Sequence, residues 1–156
     1  MMTYPPNPKY FLEDLEIGFS VESDSHTFTE QEILDFATQF DPIWIHTDPE
    51  AAKASFLGGL IASGWHTACI AQRLMITSFM THVAGIISPG IEKLYFVKPV
   101  YVGDTIRVIS EVIDSRPSAS KPDRGLMRFK NEILNQKDEV VCTEEAMILV
   151  HRRPSN

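Results

Sequence analysis

The chain of 156 residues has the length of one domain, and its 44% hydrophobic residues are enough to form a core. The net charge of -7 argues against a protein that binds nucleic acid through a basic surface, and a soluble cytoplasmic protein is expected. Cys69 and Cys142 lie in apolar runs without a CxxC partner, which indicates two reduced core cysteines. Residues 1–10 are rich in proline and lack the order of a signal peptide, so we expect an arm on the domain surface or on a partner.

The first third of the chain predicts one strand and two short helices. Residues 19–28 alternate loosely between apolar and polar residues, which is typical of a strand. Thr29 begins a capping-box pattern at the start of a helix. Pro42 ends that helix, because the residue before a proline is disfavoured in the α region. A second helix is expected from Asp48, which can cap it ahead of Pro49.

Residues 64–80 form the longest apolar stretch of the chain. Polar residues interrupt it, and it is shorter than the about 20 apolar residues of a membrane span, so no membrane association is expected. Ser63 is placed to cap a helix that runs to about Thr81. Because apolar residues cover most of the helix circumference, we expect a sheet to bury this helix on most of its sides.

The C-terminal half of the chain predicts that sheet. Segments of alternating or β-branched composition are expected to form strands at residues 92–97, 105–114, 126–134 and 139–152. Residues 115–125 predict a mobile polar loop that is rich in proline and serine. The predicted fold class is α+β, with a long central helix wrapped by a curved antiparallel sheet in a single domain.

Asp41 and His46 stand at the two ends of a short apolar segment that contains Pro42. On one helix the two side chains could not share a face, but a turn after the proline can bring both to one point. The apolar residues between the proline and the histidine are expected to shield that point from water. The alternatives are an ordinary helix-end residue for Asp41 and a capping or buried histidine for His46.

With these elements the chain resembles the MaoC-like dehydratases, which include the (R)-specific enoyl-CoA hydratases and have the hot-dog fold. The similarity covers nearly the whole chain, and it implies that residues 11–153 form one MaoC-like hot-dog domain. It includes Lys98-Pro99, the strand start at Gly103-Asp104-Thr105, and the loop at residues 115–125.

The motif of the hydratases in this family reads Asp, any residue, Asn, Pro, an aliphatic residue and His. It aligns with residues 41–46, where the Asp and the His match at the family spacing. Ile43 and Trp44 stand in place of the Asn and the Pro. A subgroup that has proline directly after the Asp is closer to this chain.

The resemblance implies a hydro-lyase without a cofactor, which converts a trans-2-enoyl-CoA reversibly into an (R)-3-hydroxyacyl-CoA. Asp41 and His46 would activate the attacking water. Gly64 would supply an N–H to the thioester oxygen, where the positive end of the helix dipole also favours negative charge. The alternative for Gly64 is a helix-start glycine that packs tightly. The resemblance also implies at least a homodimer, in which the sheets join edge to edge.

Five further residues are candidates for substrate binding. Arg116, Lys121 and Arg124 could meet the phosphates of CoA, although a solvated loop is the usual role of such residues. Trp44 and Trp65 are candidates for the walls of an acyl pocket, or for plain core residues.

The remaining histidines favour no metal site, because they lack the ligand spacing that one requires. His66 is interpreted as a satisfied buried histidine, which is neutral near the N-terminus of a helix. Two other functions stay open because the same fold hosts them: a non-catalytic subunit that binds acyl thioesters, and a thioesterase.

Overall fold

The computed structural model describes residues 8–154 of the chain. Most of the predicted N-terminal arm, residues 1–7, lies outside the described residues. The part that is described contacts the domain: Tyr10 bridges to Val83, and its ring packs against the rings of Phe19 and Phe79.

Four α-helices lie among residues 8–154, and they precede most of the sheet in the chain. They are α1 Glu30–Phe40, α2 Trp44–Thr47, α3 Pro49–Ala54 and α4 Gly64–Ser78. Thr29, Asp48 and Ser63 cap α1, α3 and α4 with side-chain oxygens that accept from backbone N–H groups, as predicted. The sequence predicts no helix at α2. Pro42 prevents α1 from continuing, but it does not prevent a new turn from starting two residues later.

One antiparallel sheet contains all six described strands. They are β1 Ser20–Glu22, β2 His26–Thr27, β3 Gly85–Phe96, β4 Thr105–Pro117, β5 Arg124–Leu134 and β6 Val140–His151. The strand order is β1-β4-β5-β6-β3, and β2 also pairs with β4. The predicted strand at residues 19–28 is therefore divided in two. The predicted loop at residues 115–125 is much shorter, because β4 and β5 extend into it and pair.

The core lies between the inner face of this sheet and α4. Ile70, Leu74 and Met75 of α4 pack in one buried cluster with strand residues such as Val108 and Ile133. The α+β prediction of a central helix against a curved antiparallel sheet is confirmed. No helix among residues 8–154 combines the length and the apolar character needed to cross a membrane.

The expectation that α4 is buried on most sides is wrong for a single chain. Trp65 is 57% exposed, Ile76 is 41% exposed, and Cys69 is also exposed, so it is not a core cysteine as predicted. These residues recur at helical spacing and form one stripe. The sheet of one chain covers only one side of the helix, and the stripe lies on the other side. Cys142 is buried, as predicted.

Candidate active site

Asp41 and His46 lie close together in the folded chain. Asp41 follows the last residue of α1 and His46 is in α2, so the turn at Pro42 folds the second helix back on the first. The Oδ2 atom of Asp41 is 3.6 Å from Nε2 of His46. The side chain of His46 is 8% exposed and that of Asp41 is 23% exposed. The structure thus forms a carboxylate–imidazole pair that solvent reaches from the side of Asp41.

Ser63 joins this pair to the N-terminus of α4. Its hydroxyl donates to Oδ2 of Asp41 at 2.7 Å and accepts from the backbone N–H of Trp65 at 3.2 Å. Ser63 is completely buried. One hydroxyl therefore caps α4 and fixes the carboxylate, so the position of Asp41 depends on the position of the helix end.

The hydrogen bonds of His46 determine which nitrogen can act as a base. Nδ1 lies 2.8 Å from the backbone carbonyl oxygen of Ile61, and a carbonyl can only accept. Nδ1 must therefore carry a proton. In the neutral imidazole Nε2 then bears the lone pair, and this is the nitrogen that faces Asp41.

A cavity of about 270 Å³ lies beside His46 at the N-terminus of α4. Gly64, Thr67, Phe96 and Val141 belong to its lining. As the first residue of α4, Gly64 has an N–H without an acceptor inside the helix. A Cβ atom at position 64 would lie 2.5 Å from Cδ2 of Phe96, so the tight-packing alternative for this glycine also applies.

Comparison with known proteins identifies the family. The MaoC like domain family matches residues 14–129, which is more than half of the chain. The chain belongs to the MaoC-like dehydratase family. A MaoC-like dehydratase from Rhodospirillum rubrum is 42% identical, with a TM-score of 0.87 over 94% of this chain and 99% of that chain.

The chain is also similar to two proteins whose names state the reaction that they catalyse. The R-hydratase PhaJ1 of Pseudomonas aeruginosa is 25% identical, with a TM-score of 0.70 over 92% of this chain and 86% of that chain. The 3-hydroxyacyl-thioester dehydratase Z of Mycobacterium tuberculosis is 36% identical over 96 residues, which are 59% of this chain and 62% of the relative. Hydratases and dehydratases are therefore among the proteins that this MaoC-like chain resembles.

The residues that replace the Asn and the Pro of the MaoC-like motif do not line the cavity. Ile43 is 50% exposed and Trp44 is 47% exposed. Trp44 is therefore not a core residue. The shielding of the Asp41–His46 pair by residues 43–45 stays a prediction, since the side chain of His46 is only 8% exposed. Trp65 is not a core residue either, but its ring lies 6.0 Å from that of Phe96 at the cavity.

The three candidate cations do not reach this MaoC-like site within one chain. Arg124 pairs with His151 at the far end of β6, whereas Val141, at the start of β6, lines the cavity. Ten residue steps of strand separate these two positions, or about 33 Å. Arg116 lies in β4 and Lys121 in the connection to β5, at the same far end. They could serve the site only from a second copy of the chain.

His66 is buried in the first turns of α4 and stacks on the ring of Phe36 at 4.5 Å. Burial lowers its pKa, so a neutral imidazole is expected, although burial rather than the helix N-terminus is the main cause. Among the described residues Nδ1 of His66 has no hydrogen-bond partner. The interpretation of a buried histidine is therefore right, but the histidine is not fully satisfied.

Sequence reasoning missed two residues of the site. Ser63 was predicted only as a helix cap, and no local pattern links it to a carboxylate 22 residues earlier in the chain. Lys98 lines the cavity and pairs with Glu139 at 2.7 Å. The Lys98-Pro99 motif is visible in the sequence, but it gives no sign that the lysine lines a cavity.

Proposed function

We propose that this protein adds water to a trans-2-enoyl thioester of CoA, and removes it in the reverse direction, with Asp41 and His46 as the acid–base pair. The observation that carries the proposal is the contact of 3.6 Å between Oδ2 of Asp41 and Nε2 of His46, beside a cavity at a helix N-terminus. The separation exceeds a direct hydrogen bond. It suits two groups that both contact one water molecule.

The hydrogen bonds around the pair support this division of roles. Because Nδ1 of His46 donates to Ile61, the lone pair of Nε2 can take a proton from the water. The adjacent carboxylate favours the imidazolium that forms. As the water oxygen bonds to C3 of the thioester, one of the two groups delivers a proton to C2. The net change is the addition of one water molecule.

The N-terminus of α4 supplies the electrostatic part of the mechanism. Negative charge develops on the thioester oxygen when C3 is attacked, and it needs donors that are already in place. We assign this role to the N–H of Gly64, which lies at the positive end of the α4 dipole and at the lining of the cavity. A side chain at this position would strike Phe96, so glycine is needed for the start of α4 to pack this close to the cavity wall.

A homodimer forms part of the proposal, because one chain leaves an apolar sheet edge exposed. β3 is the last strand of the sheet, and on it Ile87, Ile91 and Tyr95 are 60%, 53% and 60% exposed. Such an edge is a template for pairing with another strand. Trp65, in the exposed stripe of α4, already contacts Phe96 of β3 and would be covered in the same contact.

A two-fold axis through this edge would also explain how the three candidate cations, which lie far from the site of their own chain, could reach the site of a second copy. Antiparallel pairing of β3 with its copy places the Gly85 end of one strand beside the Phe96 end of the other. Gly85 is level with Val150 and Gly125 across the sheet, so Arg124 lies at the same end of the sheet two strands from this edge, and Arg116 three strands from it. We therefore propose that Arg116, Lys121 and Arg124 of a second copy meet the phosphates of CoA, while Trp65 borders the acyl group.

The experiment measures the loss of enoyl-thioester absorbance with a panel of trans-2-enoyl-CoA substrates. Asp41→Asn and His46→Gln should each lower kcat by about 100- to 10,000-fold, the usual contribution of a general acid or base. Asp35→Asn, on the exposed face of α1, and His82→Gln are matched controls, since both remove the same group elsewhere.

Undiminished rates in both site variants would refute the assigned roles. Release of free thiol from an acyl-CoA, with no change in the double bond, would identify a thioesterase instead. Saturable binding of acyl-CoA without turnover would identify a non-catalytic subunit.

A further inference from the structure

A second cavity, of about 190 Å³, lies between α4 and the inner face of the sheet. Its walls include Met75, Met80, Phe129 and Ile148. Methionine and aliphatic side chains form an adaptable apolar surface of the kind that surrounds a hydrocarbon chain. The proposed water chemistry uses none of these residues.

One part of this cavity is polar, which is unusual for the inner face of a sheet. Ser110, Asn131 and Glu144 lie opposite one another on β4, β5 and β6. They are only 1%, 8% and 5% exposed, and all three line the cavity. A buried carboxyl group costs free energy unless it meets hydrogen-bond partners, so its presence needs an explanation beyond packing.

A hydrogen bond joins two of these three residues. The hydroxyl of Ser110 donates to Oδ1 of Asn131 at 2.6 Å, and Asn131 is the cross-strand neighbour of Glu144. Burial raises the pKa of Glu144, while the side chain of Asn131 opposes this change. The row of polar side chains therefore ends on a buried carboxyl group in the lining of a largely apolar cavity.

The second cavity lies farther along α4 and β6 than the catalytic cavity. Thr67 of α4 and Val141 of β6 line the first, whereas Gln72 of α4 and Glu144 of β6 line the second. The offset is about 7.5 Å along the helix and about 10 Å along the strand. An extended acyl chain that leaves the thioester at Gly64 in this direction would reach the second cavity with its distal carbons.

We propose, on the basis of the proposed function, that this cavity binds the distal part of the acyl group and selects a chain that ends in a hydroxyl. The methylenes contact Met75, Met80 and Phe129. The hydroxyl can donate a hydrogen bond to Glu144, which a methyl group cannot do. A terminal carboxylate is disfavoured because it would lie against the carboxyl of Glu144.

The experiment compares the binding of octanoyl-CoA and ω-hydroxyoctanoyl-CoA by calorimetry. These saturated thioesters cannot be hydrated, so binding is measured apart from the reaction. The native chain should bind the hydroxylated thioester about tenfold more tightly, the effect of one net hydrogen bond. Glu144→Leu should remove this preference, and Glu144→Gln, which keeps the hydrogen bonding, should retain most of it. Glu145→Gln is the control on the next residue, whose carboxylate pairs with Lys93.

Equal affinities for the two thioesters, or a preference that survives Glu144→Leu, would overturn the inference. A tighter complex with the ω-amino thioester would show that the cavity selects a cation and would overturn the choice of a hydroxyl. The proposed reaction is judged separately with the trans-2-enoyl forms. If neither enoyl form is hydrated but the binding preference remains, the proposed reaction is refuted and the cavity assignment stands. If both enoyl forms are hydrated but the binding preference is absent, the proposed reaction stands and the cavity assignment is refuted.

Discussion

Replacing Ser63 with alanine tests whether the helix cap and the carboxylate are one unit. The change removes a cap worth about 1 kcal/mol and a hydrogen bond to a carboxylate worth about 1.5 to 3 kcal/mol. Because the side chain of Asp41 is 23% exposed, water can replace part of the second contribution, which favours its lower end. We expect the free energy of unfolding to fall by about 2.5 kcal/mol, and kcat to fall as Asp41 loses its fixed position.

The assay combines urea unfolding with the rate of enoyl-CoA hydration. Thr29→Ala is the matched control, since it removes the cap of α1 without touching the carboxylate, and should cost only about 1 kcal/mol. The difference between the two variants isolates the contact between Ser63 and Asp41. If Ser63→Ala is no less stable than Thr29→Ala and retains its full rate, the reasoning is refuted.

Three further predictions concern separate parts of the fold. Gly64→Ala should lose activity and stability, because its Cβ would lie 2.5 Å from Phe96. The additional change Phe96→Ala should restore the thermal midpoint of unfolding. A fully active Gly64→Ala variant would contradict the role of this glycine. Burial raises the pKa of Glu144 above the usual 4.5. The protonated carboxyl group therefore makes its full contribution to the free energy of unfolding below that value, and this contribution declines as pH rises through the folded-state pKa. Glu144→Gln should lack that decline in urea unfolding across the same pH range, whereas an unchanged pH dependence would argue against it. Ile91→Lys should dissociate the proposed homodimer in sedimentation experiments, because it places a charge on the exposed edge strand. Ile17→Lys, which is also exposed but lies beside β4, should not.

Local signals made much of this fold predictable. Thr29, Asp48 and Ser63 cap helices through backbone groups within three residues, so the sequence alone contains the pattern. Pro42 likewise ends α1 by a steric effect on its own neighbour. The proximity of Asp41 and His46 follows from the same short segment.

The parts that could not be predicted depend on distant residues. The polar surroundings of Arg116 predict a loop, but pairing with Leu126 makes it part of a strand. The exposure of Trp44 and Trp65 has no signal in their neighbours, since an apolar residue that faces a second molecule looks the same as a core residue. The contact of Ser63 with Asp41 depends on how α1 packs against α4, which the sequence does not show directly.

The central claim is that the site adds water to an intact thioester, and mass spectrometry of the products tests it most directly. A trans-2-enoyl-CoA incubated with the protein in oxygen-18 water should gain one molecule of labelled water, with the label on C3 and the thioester intact. Asp41→Asn should slow this gain by about 100- to 10,000-fold. Free CoA with an unchanged double bond, or an equally fast gain in Asp41→Asn, would contradict the account.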